Sequence, residues 1–167
     1  MQSANPLILV FASLLGTWFG AALFYVVVVG PAAVQAGPSG IGFLQTLARR
    51  YGTGPFYAVL AFLTVIAGIC MYLANEVYER ATASNVWATL GVGLAIVALL
   101  LGASANRIAE RKWINVVKSA QGFERTDQGT GVAAVLAKAE KINIVTTIVL
   151  GLALICVVLS RTVTNNL

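Results

Sequence analysis

Apolar residues run almost without interruption from Leu7 to Val29, Phe56 to Ala74, Val86 to Ala105 and Ile142 to Leu159. A helix of roughly 20 apolar residues crosses a hydrocarbon core about 30 Å thick, and each stretch meets that length. Polar residues and turn formers collect between them, at Gly37-Pro38-Ser39-Gly40, from Glu76 to Asn85, and from Asn106 to Lys141. The pattern predicts an all-α integral membrane four-helix bundle in a single transmembrane domain over 1–167, with spans over about 6–30, 54–75, 86–106 and 141–160. Asn5-Pro6 reads as an N-cap followed by a proline at the first helical position, Thr53-Gly54-Pro55 repeats the signal, and Ser84-Asn85 is expected to cap the third helix. The first helix is expected to end near Gly30-Pro31. The stretch Gly42 to Tyr51 suits a short helix at the headgroup level, anchored by Arg49 and Arg50.

The polar stretch after the third span keeps a helical period. Trp113, Val116, Val117 and Ala120 share one face, and Val132, Val135, Leu136, Ala139 and Ile142 recur at three and four on the approach to the fourth span. This predicts that helices three and four are extended into the cytoplasm as a helical hairpin over 107–140. The other reading of the same periodicity is a pair of amphipathic helices lying flat on the lipid surface.

Charge sets the expected orientation. Lys and Arg near the spans are retained on the cytoplasmic side. The first and third connections carry Arg49, Arg50, Arg107, Arg111, Lys112, Lys118, Arg125, Lys138 and Lys141, against Arg80 and Arg161 on the other face. The termini are therefore expected outside, N-out and C-out, in a multi-pass protein of the inner (plasma) membrane. The net charge of +5 belongs to these flanks, so its counterpart is anionic lipid headgroups rather than nucleic acid. The opening MQSANP lacks the positive region of a secretory signal, and the first span reads as a mature helix.

Candidate chemistry is sparse. Ala12, Gly16 and Gly20 recur every fourth residue on the first span, and Gly91, Ala95, Ala98 and Gly102 offer a second flat surface on the third, so helices one and three are expected to pack closely. Every charge lies at or beyond a span end, which argues against a proton pump or voltage sensor. Asn106, Arg107, Glu140, Asn143 and Thr147 fall at similar depth and form a candidate polar cluster at the cytoplasmic mouth. It reads either as interhelical hydrogen bonds that fix register or as a vestibule contacting a polar headgroup or solute. Trp18 lies midway along the first span and is expected to face the interior, as packing or as the wall of an apolar pocket. Cys70 and Cys156 sit in apolar runs and read as small hydrophobes, and a Cu(I) site with Met71 is the remote alternative. Histidine is absent, which removes the usual haem ligand. No phosphate loop, CxxC pair, HExxH helix or serine elbow is present, so no catalytic residue, metal or cofactor is assigned and the balance leans away from an enzyme.

Three stretches, Gly16 to Pro31 (GTWFGAALFYVVVVGP), Ala48-Arg49-Arg50 and Ala103 to Trp113 (ASANRIAERKW), resemble the anthrone-oxygenase-like group of small bacterial four-span proteins and the membrane domains near the CopD type. In that group a glycine-rich first span ends at a proline and an Asn-Arg pair follows the third span. The resemblance implies a wide apolar pocket for bulky aromatic molecules, which Trp18, Phe24 and Tyr25 would line. The copper-handling relatives use histidines that this chain lacks. The leading expectation is an assembly or accessory module, joining with itself or with another membrane subunit. A small transporter or channel for an apolar or weakly polar solute is the rival, and an oxygenase-like enzyme the third reading.

Overall fold

The computed structural model describes residues 6–36, 53–78, 83–120 and 128–165, with side chains over 6–32, 35–36, 55–74, 86–104 and 140–160. The described chain is helical, with no strand among the described residues. The first helical run comprises α1 (Pro6–Phe24), a π-helical turn (Tyr25–Val29) and α2 (Gly30–Gln35). After it come α3 (Thr53–Tyr78), α4 (Ala83–Ala120) and α5 (Gln128–Asn165). Four stretches are long and apolar enough to cross a membrane: Pro6–Ala32, Pro55–Ala74, Val86–Ser104 and Glu140–Ser160.

The first run does not stop at Gly30-Pro31 as its sequence suggests. Proline has no N–H to offer, and in a regular α-helix its ring would press on the carbonyl one turn earlier. A wider turn relieves both conflicts. Through Tyr25–Val29 the bonds reach five residues, the Gly30 N–H donating to the Tyr25 carbonyl, and the chain then resumes as α2. A Cβ on Gly30 would sit 3.3 Å from that carbonyl, so glycine is the residue that fits the wide turn closely.

Named contacts fix how the helices run. Phe11 lies against Gly68, and ten residues further along the first span Ala21 accepts a hydrogen bond from Tyr57, so α1 and α3 are antiparallel. Phe19 lies against Gly151, so the first span also packs on α5. α3 also meets α4, through Gly68 and Val92, and α4 meets α5 in the most extensive contact among the described residues. Sequential neighbours therefore touch, and the fourth span closes back on the first. The first and third spans are not among the principal contacts, contrary to the expectation from their glycines.

Burial follows the helical period on every span. The inward stripes are Phe11, Leu15 and Trp18; Leu60, Ala61, Thr64, Val65, Gly68 and Met71; Ala88, Gly91, Val92, Ala95 and Ala98; and Thr147, Leu150, Ala153, Val157 and Ser160. Outward faces carry larger groups, among them Phe62, Leu100, Ile148 and Ile155. A soluble protein buries its large apolar groups, whereas here much of the interior is glycine and alanine and the exterior is leucine, isoleucine, valine and phenylalanine. That distribution suits lipid, where tails solvate large side chains and helices gain by approaching closely.

Neither α4 nor α5 breaks at the end of its apolar stretch. α4 continues through 105–120 and α5 begins at Gln128, before its apolar part. At 1.5 Å per residue the α4 extension is about 24 Å long. Ser84-Asn85 falls inside the first turn of α4, within the usual variation of a helix boundary. The expected headgroup helix over 42–51 and the residues Arg49, Arg50, Arg80 and Arg125 lie outside the described residues.

Candidate functional site

The most chemically varied corner of the described chain is where the π turn meets the starts of the second and fourth spans. Pro55 sets the first turn of the apolar part of α3, and Tyr57 follows it, half-buried against the first span. Its hydroxyl donates to the Ala21 carbonyl at 3.0 Å. The rings of Phe56 and Tyr57 meet edge to face, 5.8 Å apart. Tyr25 is one helical turn beyond Ala21, opens the π turn and is half-buried, within electrostatic reach of Tyr57 and Glu140. Glu140 is half-buried at the start of the fourth span, and no hydrogen bond or ion pair to its carboxylate is found among the described residues.

The Tyr57 bond joins two helices, unlike the bonds of most of the other hydroxyls. Those of Thr17, Thr64, Ser104, Thr146, Thr147 and Ser160 each donate to a carbonyl three or four residues earlier on their own helix. Removing it by Tyr57→Phe is expected to cost about 0.6 kcal/mol, the average for such bonds between membrane helices. Reversible unfolding in detergent checks this, and an unchanged midpoint would deny the bond any part in joining the spans.

The residues singled out in the sequence fall into three groups. Glu140, Asn143 and Thr147 lie at the start of the apolar part of α5, and the Thr147 hydroxyl is bonded to the Asn143 carbonyl and so serves its own helix. Asn106 and Arg107 lie within α4, with side chains outside the described residues. Phe24 does not share a wall with Trp18. Trp18 belongs to the buried core at 5% exposure, whereas Phe24, six residues on and therefore on another face, is 59% exposed.

The small residues also divide. Gly91 is pressed against α5, where an added Cβ would lie 2.8 Å from Val157 and 3.2 Å from the Ala153 carbonyl oxygen, and Ala95 and Ala98 are fully buried. Ala12 packs at the edge of the core. Gly16, Gly20 and Gly102 have nothing within 4 Å of where a Cβ would stand. The small face of α4 that was expected to meet the first span therefore lies in part against α5, and Gly16 and Gly20 look outward, roughly opposite Phe11 and Leu15 on the helix.

Cys70 is exposed on the outer face of α3 while Cys156 is half-buried on α5, and no cluster of three metal-ligating side chains occurs among the described residues. Tyr57 was not singled out by sequence reasoning. Its signal was positional, since an antiparallel first hairpin brings the residues just after Pro55 level with those just before Tyr25. Compared with known protein families, curated proteins and solved structures, the chain finds a match in none of the three.

Proposed function

We propose that this chain is a non-enzymatic assembly module of the inner membrane, a four-helix bundle that associates with a second copy of itself through the outer face of the first span. The observation that carries the reading is the open space around Gly16 and Gly20. Each glycine inside a helix costs about 1 kcal/mol relative to alanine, and these two repay nothing inside the single chain. In a bilayer, a glycine groove on an outward face admits the backbone of another helix, and that close approach drives association. Ser13 and Thr17 flank the groove and are exposed, with the Thr17 hydroxyl already tied to the Ser13 carbonyl, so the groove stays smooth.

In this reading both termini lie outside, and α4 and α5 extend past the bilayer on the cytoplasmic side as a paired hairpin, rich in Lys and Arg, where anionic headgroups or another membrane subunit meet it. The unbroken helicity of both extensions supports an upright pair over two helices bent flat onto the lipid.

The mass of the purified chain in mild detergent tests the association. The wild type is expected to run as a dimer or larger, and Gly16→Ile with Gly20→Ile as a monomer of unchanged helicity. Gly93→Ile, on an exposed position of α4 with equal space around it, should leave the oligomer intact. A monomeric wild type at every concentration, or equal loss from the Gly93 variant, would overturn the proposal.

A further inference from the structure

We infer that the π turn is a hinge, at which the end of the first helical run, Gly30–Gln35, swings out of line onto the membrane surface when the bilayer is thinner than the run is long. The apolar part of that run, Pro6–Ala32, has 27 residues, against 20, 19 and 21 in the other three spans. At 1.5 Å per residue it reaches about 40 Å and the others about 30 Å, the thickness of a hydrocarbon core. A span too long for its bilayer tilts, kinks or thickens the lipid around it. Tilting this run apart from its shorter neighbours would draw Phe11, Leu15 and Trp18 out of the core and break the Tyr57 bond to Ala21. A bend beyond those contacts disturbs none of them.

The excess length lies at one end, and the π turn stands where it begins. α1 and α3 are antiparallel and Phe11 meets Gly68, so Pro55, thirteen residues before Gly68, is level with Phe24, thirteen after Phe11. The Tyr57 bond to Ala21 sets the same level to within a residue. Tyr25–Val29 follows at once with no residue buried, and beyond it α2 has its principal contact with the π turn itself. Packing therefore does little to fix the direction of α2. The backbone is weakest at the same place, because the turn is held by bonds that reach five residues and Pro31 has no N–H to give the turn before it. Wide turns and prolines are where helices bend. The hinge requires only that the four stretches cross a bilayer, and self-association through Gly16 and Gly20 stands or falls separately.

Pulsed electron paramagnetic resonance between nitroxide labels on Leu9→Cys and Gln35→Cys, both at exposed positions, measures the bend. The labelled full chain, with Cys70→Ala and Cys156→Ala, is diluted into unlabelled chain so that each distance is read within one copy. In vesicles of dierucoyl phosphatidylcholine, a thick bilayer, the labels should stand about 39 Å apart, the length of a continuous helix between them. In thin dimyristoleoyl phosphatidylcholine the separation should shorten by about 5–10 Å as the arm turns aside. Tilting of a rigid run leaves this distance unchanged, which separates the two responses. Deleting Val28, which takes the extra residue out of the turn, together with Pro31→Ala should hold the separation within about 2 Å between the two lipids. Should that variant fail to fold, Pro31→Ala alone is expected to shorten less than the wild type. An unchanged wild-type separation, a shortening that persists in full once the turn is straightened or Pro31 replaced, or one that follows protein dilution rather than lipid length would each overturn the inference.

Discussion

Gly91→Ala is expected to destabilise the folded chain by about 1–3 kcal/mol, the usual cost of forcing one extra carbon into a filled interior. The new methyl would stand 2.8 Å from Val157 Cγ2 and 3.2 Å from the Ala153 carbonyl oxygen. Val157 is itself buried at 1% exposure and has no room to turn aside, and a backbone oxygen in the middle of α5 moves only if the helix moves. The same substitution two residues on, Gly93→Ala, meets nothing within 4 Å and should be neutral or stabilising by up to about 1 kcal/mol, since alanine is the better helix former. The comparison cancels helix propensity and leaves contact. Unfolding midpoints in mixed micelles measure both, and equal shifts at the two positions would mean that α4 and α5 do not meet at Gly91.

The second large effect centres on Phe11, fully buried, which with Val92 fills the space left by Gly68 on α3. Phe11→Ala removes a ring without exposing anything to water, because the separated helices would also sit in lipid. What is lost is packing alone. At about 24 cal/mol per Å³ of residual cavity, a void of roughly 100 Å³ costs about 2–3 kcal/mol. Gly68→Ala should be damaging for the opposite reason, since its methyl would come within 2.9 Å of the Phe11 ring and 3.1 Å of Val92. Combining Gly68→Ala with Phe11→Leu should cost less than the sum of the two, by about 0.5–3 kcal/mol, as expected for residues in contact. Strict additivity in a double-mutant cycle would show that the two spans are not joined there.

The number and placement of the spans were legible because about 20 apolar residues bounded by proline, glycine and charge leave a helix little alternative. Which helices touch was less legible. Gly16 and Gly20 on the first span and Gly91 on the third follow the same small-residue pattern, yet Gly91 meets a neighbour and the other two face outward. The pattern encodes the capacity for close approach and leaves the partner open. Chain order says more, because adjacent antiparallel spans leave the first and third on a diagonal.

Pro31 shows a different limit. A proline after a glycine ordinarily marks a helix end, but a π turn absorbs it here at the scale of single hydrogen bonds, which hydrophobic periodicity does not register. Of the expected polar cluster, Thr147 turns its hydroxyl to the carbonyl of Asn143 on its own helix. Threonine always has that partner within reach, four residues back, whereas a partner on another helix must be brought to it. Tyr57 is long enough to span the gap between helices, and its hydroxyl does so.

The glycine and alanine at the helix contacts also bear on how such a chain is made. A nascent chain in water normally hides its bulky groups by folding them inward, but here that space is taken by the close approach of backbones, and turning Phe62, Leu100 or Ile155 inward would pry the helices apart. Each hydrophobic segment is best delivered into lipid as it emerges, and a delay at that step exposes apolar faces that only a chaperone or another unfinished copy can cover.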